Sequence, residues 1–372
     1  MKIVIAIDSF KGSLTSLQAG NAVKDAIYRL DNNGEVLVKP LADGGEGTVD
    51  ALAEGPNSEI VEVEVKGPLL NPVIAKYCIL KDTNTAVVEM ASASGITLIP
   101  AEDRNPLETT TYGVGEIIKD AINRGCRRFI VGIGGSATND GGVGMLTALG
   151  YEFLDKNGMP VALGAKGLRD LHTIKSDNVI PGLKECNFNI ACDVTNPLCG
   201  ENGCSAVYGP QKGATPEMIR DMDAWLGNYA KLANADQSVA GAGAAGGLGF
   251  AFLAFTNAVL RSGIEIVLEE IGIEEEIKNA DIVVTGEGRL DSQTVMGKAP
   301  SGVAKLAKKY GKKVIAFSGC VTEDAEVCNA HGIDAFFPIL REVTTLEKAL
   351  DSGNAYKNLT ATAYQVFRLL LL

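Results

Sequence analysis

The sequence predicts an α/β protein of two domains: a Rossmann-like doubly wound domain with a second, mixed α/β domain inserted into it. Three observations predict this. Both ends of the chain alternate strand, loop and helix patterns, the arrangement that builds parallel sheets. Between them, from about residue 60 to 90, three apolar segments broken by short turns read as an antiparallel meander. The 372 residues also exceed the usual span of one hydrophobic core. The expected partition is residues 1–65 plus 280–372 for the doubly wound domain and 66–279 for the insert.

In chain order, residues 2–7 form a short apolar strand that ends in the polar run Asp8-Ser9-Phe10-Lys11-Gly12-Ser13. A helical apolar period follows through Leu17, Ala22, Val23, Ala26, Ile27 and Leu30. In a doubly wound sheet the loops at strand carboxyl ends face the ligand, which places Asp8, Ser9 and Lys11 there. Residues 35–40 give a second strand, then the loop Asp43-Gly44-Gly45-Glu46-Gly47-Thr48 and a helix through Val49 and Leu52. After the meander, a helix through Ile117, Ile118 and Ile122 leads to an apolar strand at 128–133. Residues 188–192 form a strand ending at Asp193-Val194-Thr195-Asn196-Pro197. The glycine-rich run 241–249, followed by Phe250, Phe252 and Phe255, suits a close-packed turn. Strands at 281–284, 313–319 and 334–340 resume the parallel pattern, the first running into the loop Thr285-Gly286-Glu287-Gly288-Arg289-Leu290-Asp291. The C-terminal leucines are too few to span a bilayer and are expected to close a helix against the core.

The chain is organised around Gly132-Ile133-Gly134-Gly135-Ser136-Ala137-Thr138-Asn139-Asp140-Gly141-Gly142, a glycine-dense loop that follows a buried strand. Missing Cβ atoms let backbone N–H groups approach an anion. Ser136, Thr138 and Asn139 add neutral donors, and Asp140 adds a carboxylate able to hold a divalent cation. Gly132, Gly134 and Ala137 also fit the loose dinucleotide pattern. In that motif, however, the helix starts within the glycines, whereas a polar, acidic segment intervenes here. Phosphate without a nicotinamide is the better fit. Asp-Gly-Gly occurs twice, at Asp43 and Asp140, each time between a strand and a helix, which suits two loops serving one metal–phosphate chemistry.

A formal net charge of −12 excludes nucleic acid and anionic membranes as natural partners. Eight scattered cysteines, with no C-x-x-C pair and no signal peptide before the first strand, point to a reducing cytoplasm and away from a zinc site. Only His172 and His331 are present, neither beside an acidic or glycine loop, so carboxylates must carry the chemistry. Asp8, Asp43, Glu46, Asp140, Asp193, Glu287 and Asp291 all fall at or near strand ends. That distribution suits Mg²⁺ between carboxylates and phosphates, with another carboxylate accepting the proton of an attacking hydroxyl. A P-loop and the protein-kinase motifs are absent.

These loops resemble the type I glycerate kinases. The matching stretches are residues 6–13, 40–48, 133–142, 192–198 and 285–291, in order and over nearly the whole chain. The resemblance implies an active site in the cleft between two α/β domains, ATP and Mg²⁺, D-glycerate as substrate and 2-phosphoglycerate as product. Asp193, Lys11 and Asp43 are the expected catalytic residues, with Asp193 as base because Asp43 and Asp140 suit metal or phosphate work and Arg289 tends to neutralise Glu287. Asp8, Ser9, Gly44, Gly45, Glu46, Gly134, Gly135, Ser136, Thr138, Asn139, Gly141 and Arg289 are expected to bind substrate or phosphate. Asp140, Glu287 and Asp291 are expected to bind the metal. Lys11 and Arg289 are the cations available to the glycerate carboxylate, Arg289 with a bidentate fork. Transfer to the 3-hydroxyl and a nicotinamide-dependent hydroxy-acid dehydrogenase are the competing functions, and the assembly, a homodimer included, stays open.

Overall fold

The computed structural model describes residues 1–45, 47–55 and 57–371, so Glu46 lies outside the described residues. The chain divides into two compact units, Met1–Pro56 with Gly263–Leu372, and Asn57–Ser262. The strand expected at the end of the first domain belongs to the second unit, and residues 263–279 belong to the first.

The first unit opens with β1 (Lys2–Ile5) and β2 (Glu35–Val38). In the second unit follow β3 (Ser58–Lys66), β4 (Pro72–Leu80), β5 (Thr85–Glu89), β6 (Arg128–Gly132), β7 (Glu152–Leu154), β8 (Thr173–Lys175), β9 (Asn187–Ala191) and β10 (Asn257–Arg261). The chain then returns through β11 (Ile282–Leu290), β12 (Lys313–Val321) and β13 (Ala335–Pro338).

The first unit's sheet has the order β13-β12-β11-β1-β2, with every pair parallel. Ile3, Val4 and Ile5 are all fully buried, as expected for an unbroken apolar run covered on both faces. The helix Ser16–Tyr28 covers one face. Thr15 caps it reciprocally with Gln18, and its Ala19, Ala22, Val23, Ala26 and Ile27 pack into one core with Leu359, Ala363 and Phe367 of the helix Ser352–Leu370. Strand order reverses at β1, which has β2 on one side and β11 on the other. That reversal opens a crevice at the carboxyl ends of β1 and β11.

The second unit's main sheet has the order β10-β9-β6-β5-β4-β3. Only β3, β4 and β5 are antiparallel; β5 pairs parallel with β6, so the meander is one flank of a mixed sheet. β7 and β8 form a separate ribbon. No helix among the described residues is long and apolar enough to cross a membrane.

Two sequence expectations need correction. Residues 285–290 are not a loop, because β11 runs on to Leu290, paired with β12. Gly286 permits this: a Cβ there would stand 2.0 Å from the Phe317 carbonyl oxygen. Leu369, Leu370 and Leu371 do not close the core, since they are 72%, 43% and 40% exposed and Phe367 fills that place; Leu372 lies outside the described residues.

Candidate functional site

In the first unit, two acidic loops and the acidic end of β11 meet in the crevice. The chain beyond β1 stays paired with β11, since the Asp8 N–H donates to the Gly286 carbonyl at 2.9 Å, which sets Asp8 beside Glu287. Ser16 fixes the next loop: its hydroxyl donates to the Ile7 carbonyl at 2.6 Å and accepts from the Leu41 N–H at 2.7 Å, tying the ends of β1 and β2 together. Asp43 follows, folded over its own turn by the Gly45 N–H at 2.9 Å. Gly263 packs beneath this loop, where a Cβ would lie 2.0 Å from the Asp43 carbonyl.

Asp8 is 9% exposed, and burial together with the Asp43 and Glu287 carboxylates pushes its carboxyl up to about 7, against the pull of the Ser9 N–H and Lys11. Burial likewise raises Glu287, opposed chiefly by the Thr294 hydroxyl, which donates to it at 2.6 Å. Lys298 stands 3.8 Å from both Glu287 and Asp291, and Arg289, itself 64% exposed at its side chain, lies 3.3 Å from Asp291. Arg289 thus spends part of its charge on its neighbour. Lys11 is exposed on the rim of a cavity of about 290 Å³ lined also by Asp8, Ser9, Ser13, Asp50 and Glu54.

In the second unit, the glycine loop leaves β6 in two layers. Gly134 and Gly135 are exposed at a lip, and Ser136 is 8% exposed beside them. Thr138, Asn139, Asp140 and Gly141 lie fully beneath it. Asp140 differs from the expectation of a metal ligand. Its oxygens accept from the Thr111 N–H at 2.8 Å, the Thr111 and Thr110 hydroxyls, and the Gly142 and Gly144 N–H groups. A carboxylate so engaged organises its own loop. Asn139 donates to Ser205, and the Gly141 N–H donates to the Gly246 carbonyl. The glycine-rich run 241–249 thus packs against this loop, with Ala245, Gly246 and Gly247 in left-handed conformations. Buried Thr138 Oγ1 and Asn139 Oδ1 have no hydrogen-bond partner among the described residues.

Asp193 is exposed just beyond β9, the strand next to β6, and it has an interaction partner of its own. Asn196 is tied to Tyr208 and the Asn202 carbonyl, which stiffens this loop. Among the described residues no three His, Cys, Asp or Glu side chains are grouped closely enough to hold a metal ion by themselves. Sequence reasoning missed Lys298, Thr294, Ser16 and Lys212. The first three are ordinary polar residues with no motif around them. Lys212 sits in the turn Gly209-Pro210-Gln211-Lys212-Gly213, whose composition announces a bend and says nothing of burial.

The comparisons with known proteins agree in one direction. A model described as the glycerate kinase family matches residues 3–371. A protein of Haemophilus influenzae named glycerate kinase is 47% identical over 375 residues, covering 100% of this chain and 99% of its own. One of Escherichia coli (strain K12) named glycerate 2-kinase is 46% identical over 364 residues, covering 96% and 95%. The crystal structure of a Salmonella typhimurium LT2 protein, described as a candidate glycerate kinase 2, superposes with a TM-score of 0.92 at 47% identity, covering 100% of this chain and 98% of that one. Over its whole length, this chain belongs to the glycerate kinase family.

Proposed function

We propose that the protein transfers the γ-phosphoryl group of ATP to D-glycerate, giving 2-phosphoglycerate. The observation that carries this reading is the meeting of Asp8, Asp43 and Glu287 in the strand-reversal crevice of a chain in this family. Like charges crowded into a buried crevice repel one another, and a hard cation relieves that repulsion. Asp43 and Glu287 are the residues that would hold Mg²⁺, and with few carboxylates on offer phosphate oxygens would complete its shell. When bound, Mg²⁺ would neutralise charge developing on the phosphoryl oxygens.

Asp8 is then the proton acceptor for the attacking hydroxyl, because it is the buried carboxylate left in this crevice, beside Glu287, once Asp43 and Glu287 are committed to the cation. Asp193 is the second reading for this role, favoured by its place beyond the strand next to the glycine loop. Lys11, on the rim of the cavity beside Asp8 and Ser9, is the cation we assign to the glycerate carboxylate. Gly134, Gly135 and Ser136 present donors to an anionic group, while Asp140 holds their loop in shape. The naming of the E. coli relative as a glycerate 2-kinase favours the 2-hydroxyl as acceptor. The test is a phosphorus NMR spectrum of the product from D-glycerate, ATP and Mg²⁺. A 2-phosphoglycerate resonance that disappears with excess EDTA is the expected result; 3-phosphoglycerate, or undiminished turnover in EDTA, overturns it.

A further inference from the structure

Lys212 is 2% exposed, yet it makes no ion pair among the described residues. Its ammonium donates to Ser136 Oγ at 2.8 Å and to the Thr138 carbonyl at 2.6 Å. Two of its three N–H donors are therefore spent on the underside of the glycine loop. A buried ammonium without a counter-charge is costly, so a lysine is normally kept out of such a place or neutralised there. The charged groups around it are few. Asp140 and the Cys204 thiol act on it at a distance, and the Arg104 backbone packs against the adjacent Gly213. Asp140 is occupied by its own five donor groups and offers only partial compensation.

The Ser136 hydroxyl carries the second half of the argument. Its oxygen accepts from Lys212, so its own proton is free to be donated, and no protein acceptor takes it among the described residues. Ser136 keeps 8% exposure beside the open glycines Gly134 and Gly135. Around Gly134 a Cβ would meet nothing within 4 Å. The lip therefore combines exposed backbone, an outward hydroxyl proton and a positive charge set one side chain below it.

We propose that Lys212 is a positioning residue of an anion site on the Gly134–Gly135–Ser136 lip: it orients the Ser136 hydroxyl outward and supplies the buried positive charge that an anionic oxygen group binding there would balance. The inference rests on the phosphotransfer reading for its choice of ligands, a phosphoryl group or the carboxylate of glycerate, which share this chemistry. Burial depresses the Lys212 ammonium to about 8, so the cation is held loosely in the unliganded protein. An anion at the lip favours the charged form and raises that value. Binding therefore takes up protons at pH 8.5, where glycerate is fully ionised and the phosphate groups have almost completely lost the proton that titrates near neutrality. Affinity falls as the pH rises through 8, by roughly 20-fold between pH 7.5 and 9.5 if the liganded value exceeds 10.

The experiment is calorimetric titration of the full chain at pH 8.5, in two buffers of different ionisation enthalpy. Inorganic phosphate, a non-hydrolysable ATP analogue with Mg²⁺, and D-glycerate are the separate probes. Proton uptake with at least one probe is expected, and which probe shows it identifies the source of the anion. Lys212→Met should abolish the uptake and the pH dependence; Lys212→Arg, permanently charged, should bind with little change across this pH range. Absence of uptake for all three probes in the unaltered protein, which needs no variant to fold, overturns the proposal. Uptake that persists in Lys212→Met overturns it as well. Glycerate phosphorylation without uptake sinks this inference alone, whereas uptake without phosphorylation sinks the substrate reading and leaves the anion site standing.

Discussion

Asp8 illustrates how a single carboxyl couples stability to chemistry. Its ordinary value of 3.8 rises to about 7 in the folded protein, so between those values the native state holds a proton that the unfolded chain has released. Each pH unit in that window lowers the stability of the native state by about 1.4 kcal/mol, a total of about 4 kcal/mol above pH 7. Asparagine carries no such penalty. Asp8→Asn is therefore expected to shift the urea midpoint upward at pH 8 and to leave it nearly unchanged at pH 4. If Asp8 accepts the substrate proton, the same substitution lowers kcat by about 10²-fold or more and removes the acidic limb of the kcat/KM profile. Asp193→Asn should leave that acidic limb in place. A limb lost in Asp193→Asn and kept in Asp8→Asn would return the role of base to Asp193.

At the scale of elements, glycine loops contain two kinds of glycine that a sequence does not separate. Gly246 lies beneath the second unit's loop at φ +67°, where a Cβ would meet the Thr138 carbonyl oxygen at 2.0 Å. Gly246→Ala is expected to lower stability by about 2–4 kcal/mol, from left-handed strain plus a forced backbone shift. Gly134 has open space around it, so Gly134→Ala should change the melting temperature little while weakening phosphate binding, since a methyl group holds the anion off the backbone. Equal loss of stability in the two variants would count against the layered description of this loop. The sequence made legible what depends on neighbours along the chain: the strands, the loops at their ends, and Asp8 and Asp43 at the crevice. Contacts between distant segments were not legible. Lys212 reaches back 76 residues to Ser136, and Asp140 accepts from Thr110 and Thr111 on a loop some thirty residues earlier. A carboxylate between glycines reads the same whether it faces a metal or its own backbone, so Asp140 was expected to do the first and is found doing the second.

At the scale of the whole molecule, the two units keep separate cores. One cluster draws on buried residues between Val61 and Phe252, the other on residues up to Val36 and from Ile282 onward. Among the described residues no side chain belongs to both clusters. The second unit is also continuous in sequence, with its six-stranded sheet complete within residues 58–261 and the glycine loop, Lys212 and the run 241–249 all inside it. A continuous segment of this size with its own core meets the usual conditions for folding alone. Residues 57–262 expressed by themselves are expected to unfold in one cooperative urea transition and to keep a near-ultraviolet circular dichroism signal from packed aromatics such as Phe129, Phe188 and Tyr229. Residues 1–55 alone should not fold, because β1 would lose β11, its partner on one side, and the crevice loop would lose Glu287. A non-cooperative transition with strong dye binding in the 57–262 fragment would show that its core, although contiguous, depends on the rest of the chain for its packing.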